Sequence, residues 1–397
     1  MTGRPIYLDN QATTPLDPRA LAAMLPYLTT AFGNASSPHR YGQEAANAIH
    51  TARQQLGRLL GARSEQEIVF TSGATESNNL ALKGAALALR AQHGGDHIIT
   101  TAVEHKSVLA ACAQLRQAGF QLTTLPVDRT GRIDPAQVGQ AITSRTILVS
   151  VMHANNEVGA IQPLAEIGAI TRHHGIAFHS DAAQSAATLP LDVDRLNLDL
   201  ASVSAHKLYG PKGVGALYVR APLRGGVALA PQLVGGGQEH GLRAGTANVA
   251  GIVGFGHAAH LLTHDQQRQR DATHALRLRE RLRHRLAAIP DLIVNGPASD
   301  QLRLAGNLSI TIPGIDAADL LAALPDLACS TGSACTSGQA APSHVLTAMG
   351  IPAPLARATL RLSIGRFTSD HDIDTAAGHL TEAARRLRKA CAHLNLK

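Results

Sequence analysis

The stretch RTILVSVMHANNEVGAIQPLAEIGAITRHHGIAFHSDAAQ, residues 145–184, decides the fold. At its two ends, RTILVSVMHANNE and IAFHSDAAQ begin as short apolar runs that read as strands, while LAEIGAITRHHG between them reads as a helix. Strands that alternate with helices form a mainly parallel sheet covered on both faces. The alternation extends outward in both directions. EIVFTSG, DHIITTAVEH, QLTTLPVD and LDLASVSAHK are further strands, and TESNNLALKGAALALRAQ is a further helix. Beyond about residue 265 the pattern changes to a long charged helix, a strand in NLSITIPG, a helix in AADLLAALP, a strand in ATLRLSIGRF and a final helix from Ser369. This predicts a large α/β domain over 16–265 and a smaller α+β domain made of 1–15 and 266–397.

Composition narrows the function classes. With 397 residues, 45% of them hydrophobic, the chain can bury a large core. Its four cysteines form no Cys-x-x-Cys pair, which argues against a disulfide framework or a zinc knuckle and for a reducing, cytoplasmic setting. MTGRPIYLDNQATTPLDP has no apolar signal region, and no apolar run is long enough to span a membrane. The net charge of +7 would suit a nucleic-acid surface, but aromatic residues are only 3% of the chain and stacking platforms need them. The densest basic stretch, 268–286, reads as one amphipathic helix with Leu276, Leu282 and Leu286 inward and a solvated charged face.

The odd polar residues fall at strand ends, where open parallel sheets bind ligands. FTSGATESNN leads from a strand through Gly73 into a helix beginning at Ala74 and Thr75, a seat for phosphate. It is not a Walker loop, since no Gly-Lys-Ser or Gly-Lys-Thr follows. FHSDAAQS ends a strand with Asp181 and Gln184; a helix cap is the plain alternative for the aspartate. SVSAHKLYGPKG puts Ser204, His206 and Lys207 at another strand end, and lysine is scarce in this chain. A lysine there is either paired or reactive. An anion seat, an aspartate for a cationic ring nitrogen and a semi-buried amine are together what pyridoxal phosphate requires.

YLDNQATTP, FTSGATESNN, EHKSV, HANNEVG, SDAAQ, SAHKLYGPKGVGALYVR, GGGQEHGLRAGTANVAGIVG, STGSACTSG, SHVLTAMG and LRLSIGRFT run in order from Tyr7 to Thr368. This ordered set resembles the cysteine desulfurases of the NifS/IscS-like group, in the class V aminotransferase superfamily. The resemblance implies a fold-type I pyridoxal-phosphate enzyme with a seven-stranded-type sheet, acting as a homodimer. It would convert L-cysteine to L-alanine and place the sulfur on Cys335 as a persulfide, for an iron–sulfur scaffold or another acceptor protein. Lys207 would hold the cofactor covalently and move protons at the substrate. Asp181 would pair with the ring nitrogen, Gln184 with the ring hydroxyl, and His105 would stack on the ring and assist proton transfer. Ala74, Thr75, Ser204 and His206 would hold the phosphate, with Thr246 reaching it from the partner subunit. Arg361 would grip the substrate carboxylate, helped by Asn156, which also borders the cofactor, and by Asn34.

The resemblance gives the enzyme no metal of its own; Cys335 would at most contact an iron–sulfur cluster on a partner. It implies neither a membrane nor a direct nucleic-acid contact. Glycine and small side chains around Cys335 suit a thiol that works first in a pocket and then at the surface. Cys112, Cys329 and Cys391 are assigned to packing. The chain departs from the family after Cys335, where it reads GQAAPSHVL and the family often has Ser-Leu-Glu-Pro before Ser-His-Val-Leu, so the resemblance leaves loop contacts with acceptors open there. Two other readings use the same motifs. An aminotransferase or selenocysteine lyase of this fold would stand beside the desulfurase, the aminotransferase having no need of Cys335, and a sulfur-relay scaffold without activity would hold no cofactor.

Overall fold

A computed structural model of the chain describes residues 4–264, 266–331 and 342–394, with side chains to 390. Cys335 therefore lies outside the described residues, as does the side chain of Cys391.

The central sheet has seven strands in the order Ile68–Thr71, Gly215–Val219, Leu200–Ser204, Ala177–Asp181, Thr146–Ser150, His97–Thr101 and Gln121–Leu125. Six run in one direction, as the alternation predicts. Gly215–Val219 is antiparallel to both its neighbours, so the sheet is mixed at that edge. Successive side chains of a strand point to opposite faces, and here both faces are buried except along the edge strand Gln121–Leu125. Val69, Ile98, Leu148, Leu200 and Leu217 pack on one face with Leu80 and Leu89 of helix Ala74–His93 and Val108 of helix Lys106–Gln117. Phe70, Ile99, Val149, Phe178 and Val203 pack on the other with Leu56 of helix Arg40–Leu60, Ile167 of helix Leu164–His173 and Phe255 of helix Val249–His264. Each such side chain contributes about 1.5–3 kcal/mol when fully buried. Two-sided burial is why these strands are continuous apolar runs and not alternating ones.

A second core gathers Leu8 with residues between Ala275 and Ala384. Its sheet is antiparallel, ordered Ser330–Thr331, Thr359–Ser363, Asn307–Thr311 and Ile293–Asn295. Helices Gln267–Leu286 and Asp370–Leu394 pack together over it. The inward residues of the basic helix are Ala275, Leu278, Leu282 and Leu286, whereas Leu276 is half-buried, a correction of the expected register. Its arginines face acids of the last helix: Arg277 pairs with Asp370 at 2.6 Å, and Arg281 and Arg285 with Asp374 at 2.7 and 2.6 Å. The N-terminus joins this unit through Ile6–Tyr7, parallel to Leu327–Ala328.

Candidate active site

The parallel strands bring their polar ends to one cavity of about 690 Å3 at the carboxyl edge of the sheet. After strand Ile68–Thr71 the chain turns through Gly73, at φ 157° and ψ 175°, a region essentially open to glycine alone. Gly215 passes so close that a Cβ on it would lie 2.6 Å from the Gly73 Cα. The first amides of helix Ala74–His93 have no partner within the helix and sit at its positive end, which suits an anion. Ser204 faces the same turn, its Oγ 3.8 Å from where a Gly73 Cβ would stand.

One turn beyond Ser204 come His206 and Lys207. The His206 Nδ1 is 3.1 Å from Thr13 Oγ1. Burial, with Lys207 and Lys212 nearby, pushes its pKa down to about 4, so the ring is neutral near pH 7. The Lys207 ammonium donates to the Gln11 carbonyl, which also accepts from Gln184 Nε2 at 2.9 Å. Asp181 ends its strand buried, and both carboxylate oxygens are held. Oδ1 accepts from the Ala183 amide at 3.0 Å and Oδ2 from Asn78 Nδ2 at 2.8 Å.

His105 caps helix Lys106–Gln117, its Nδ1 accepting the Ser107 amide at 3.2 Å. The ring is exposed into the cavity while protein surrounds that cavity, and this enclosure lowers its pKa. Asp181 pulls the other way, and Lys207, His344 and Lys106 add to the depression. Arg361 lies on an inner strand of the small sheet, paired in register with Ser309 and Ser330. One guanidinium nitrogen donates to the Asn156 carbonyl at 3.1 Å and another to Asp9 Oδ1 at 2.8 Å. Nε is buried without a hydrogen-bond partner. Glu157 is buried beside them, its carboxylate accepting from Ser343, and burial pushes its pKa up to about 7.

Ten of the predicted residues line this one cavity: Ala74, Thr75, His105, Asn156, Asp181, Gln184, Ser204, His206, Lys207 and Arg361. Asn34 and Thr246 do not. Asn34 is exposed, its side chain accepting the Ser36 amide at 3.0 Å, and Thr246 is exposed on a surface segment of this single chain. Asp9, Asn78, Ser107 and Glu157 stood inside the quoted motifs, yet nothing in their spacing marked them, because their partners come from distant strands and helices.

Amide donors at a helix end, a serine hydroxyl, a neutral imidazole, an amine and a buried carboxylate share one chamber, with a glycine turn left open beside them. That donor set fits pyridoxal phosphate: donors for the phosphate, a carboxylate for the ring nitrogen and an amine for the aldehyde carbon. The fold and cavity thus define an α/β enzyme of the pyridoxal-phosphate class.

The chain belongs to the class-V aminotransferase family, whose profile matches residues 6–375. It is 50% identical over 387 residues to the cysteine desulfurase IscS of Anaeromyxobacter dehalogenans (strain 2CP-C), covering 97% of this chain and 94% of that protein. Among solved structures it resembles a NifS-like protein, with TM-score 0.87, 35% identity, and 97% and 99% of the two chains covered. It also resembles SspA, solved in complex with cysteine, with TM-score 0.78, 38% identity, and 91% and 99% covered.

Proposed function

We propose that the chain is a cysteine desulfurase dependent on pyridoxal phosphate, converting L-cysteine to L-alanine and passing the sulfur to Cys335. The observation that carries this reading is the gathering of Lys207, Asp181 and Arg361 in one cavity whose wall also includes Ser330 and His344, on the two sides of the segment that holds Cys335. When bound, the cofactor supplies an electron sink that labilises bonds at the substrate carbons.

Everything else falls to the chain's own residues. Ala74, Thr75, Ser204 and His206 would bind the phosphate, Asp181 would keep the ring nitrogen protonated, and Gln184 would meet the ring hydroxyl. Lys207 would hold the cofactor and carry protons at the α-carbon. Arg361, with Asn156 beside it, would take the substrate carboxylate on its fork; Asn34 is expected to assist. The thiolate of Cys335 would attack the substrate sulfur: the new S–S bond forms as the carbon–sulfur bond breaks, and alanine keeps the carbon skeleton. The persulfide would then go to an iron–sulfur scaffold or another acceptor protein.

The large domain over 16–265 would carry the cofactor, and the small one, 1–15 with 266–397, Arg361 and Cys335. A homodimer would bring Thr246 to the partner's phosphate. Leu28 and Phe32, 60% and 71% exposed, give that dimer an apolar face together with Leu21 and Leu25. No helix among the described residues is long and apolar enough to cross a membrane. A working thiol on Cys335 favours the reducing cytoplasm.

The test adds L-cysteine and a thiol reductant to the purified protein while its visible spectrum, alanine and sulfide are followed. The wild type is expected to show the cofactor band and equal alanine and sulfide. Lys207→Ala is expected to lose the band and turnover, and Cys335→Ser to keep the spectral response to cysteine but release no sulfide. Undiminished sulfide from either variant would refute its assignment.

A further inference from the structure

Asn78 is fully buried in the second turn of helix Ala74–His93 and touches both sides of the cavity's acid–base machinery. Its amide nitrogen donates to Asp181 Oδ2 and to Ser107 Oγ, each at 2.8 Å. The opposite amide orientation would set Oδ1 against the carboxylate, so charge selects this one. The Ser107 hydroxyl, which accepts from Asn78, lies 2.8 Å from His105 Nδ1 and can turn its own hydrogen to that nitrogen. The same Nδ1 accepts the Ser107 backbone N–H, which can only donate. An Nδ1–H would point at that backbone hydrogen, so the neutral ring carries its proton on Nε2. The positive end of helix Lys106–Gln117 further opposes a cation at its cap.

We infer that His105 serves in the cavity as a neutral hydrogen-bond donor through Nε2–H, and that Asn78 and Ser107 are the positioning residues that hold it so and couple it to Asp181. This rests on the reading of the cavity as the cysteine site. A ring in this state has no lone pair to offer at Nε2, and protonating Nδ1 would break the helix cap. The proton transfer that the resemblance expects of His105 would then run from Nε2–H outward, as a donor. The ring suits an anionic acceptor such as a thiolate sulfur. The charged and titratable groups around it are Asp181, Lys207, His344 and Lys106.

The test labels histidine with 15N and reads the ring nitrogens by NMR in the cofactor-loaded and cofactor-stripped protein, with His105 assigned by its absence in His105→Gln. Expected are a protonated Nε2 and a bare Nδ1 near pH 7 in both forms, with a titration midpoint below that of an ordinary histidine. A protonated Nδ1 near neutral pH would overturn the inference. In Asn78→Ala the midpoint should rise, because Asp181 loses a donor, and kcat should fall about tenfold with KM changed less. An unchanged midpoint with unchanged kcat would remove Asn78 from the account. Should Asn78→Ala fail to fold, Ser107→Ala keeps the backbone cap and is expected to shift the same midpoint; no shift there counts equally against it. A wild type that never binds the cofactor would sink the cavity reading, while the tautomer is read on the stripped protein regardless.

Discussion

Glu104 shows how one side chain can set a pH dependence. It precedes His105 and is fully buried; Thr101 Oγ1 and the Met152 amide both donate to Oε1 at 2.8 Å, while Oε2 has no partner. Burial, reinforced by Asp181, raises its pKa from 4.5 to about 8 against those two hydrogen bonds. Between these values the folded chain holds a proton that the unfolded chain has lost. Its contribution to stability is therefore full below pH 4.5 and is lost as pH rises through about 8. Glu104→Gln removes this slope: the Tm of the wild type should fall relative to the variant by about 5 °C or more on going from pH 5 to pH 8. Parallel Tm profiles would mean that Glu104 does not titrate in the fold. Residue by residue, the sequence disclosed Lys207 and Asp181 because they stood at strand ends, whereas Arg361, in the middle of strand Thr359–Ser363, was marked only by the motif it shares with the family. It could not disclose Asn78 or Ser107, since an asparagine and a serine are ordinary until a distant carboxylate and imidazole meet them.

Among the elements, the seam between the two cores is fixed by a buried ion cluster. Arg366, just past strand Thr359–Ser363, donates to Asp17 Oδ2 at 2.6 Å and to Asp271 Oδ2 at 2.8 Å, and lies 4.0 Å over the Tyr209 ring. Asp17 caps helix Pro18–Thr29, and Asp271 stands on helix Gln267–Leu286. Burial alone would raise the Asp17 pKa, but Arg19 and Arg366 hold it at about 2. Removing one partner of a buried cluster leaves unpaired charge and costs about 3–5 kcal/mol. Arg366→Ala should therefore lower Tm by about 10 °C, and Arg366→Lys, which lacks the planar fork, should recover only part. An unchanged Tm for Arg366→Ala would show that the seam is held elsewhere. The strand–helix alternation was plain because apolar runs and helical periods are local signals. The antiparallel direction of Gly215–Val219 and the inward register of Leu278 were not, because strand direction and helix rotation are set by what lies opposite.

At the scale of the whole molecule, the exposed face of helix Pro18–Thr29 leads to a test of assembly. The dimer reading predicts twice the chain mass in solution by light scattering. Replacing Leu25 and Leu28 together with aspartate should shift the protein toward monomer and reduce turnover at least tenfold, because Thr246 would no longer reach a partner's cofactor. A monomeric wild type with full turnover would oppose it. Nothing in a single chain's pattern could show which residues a second copy would supply; on the dimer reading Thr246, which stands apart from the cavity, is one of them. The most direct test of the central claim is the mass of the Cys335 peptide after the cofactor-loaded protein meets one equivalent of L-cysteine without any reductant. The account predicts that this peptide gains one sulfur atom for each alanine formed, and that Cys335→Ala protein gains none on any peptide. Alanine formed with no sulfur on the Cys335 peptide would contradict it.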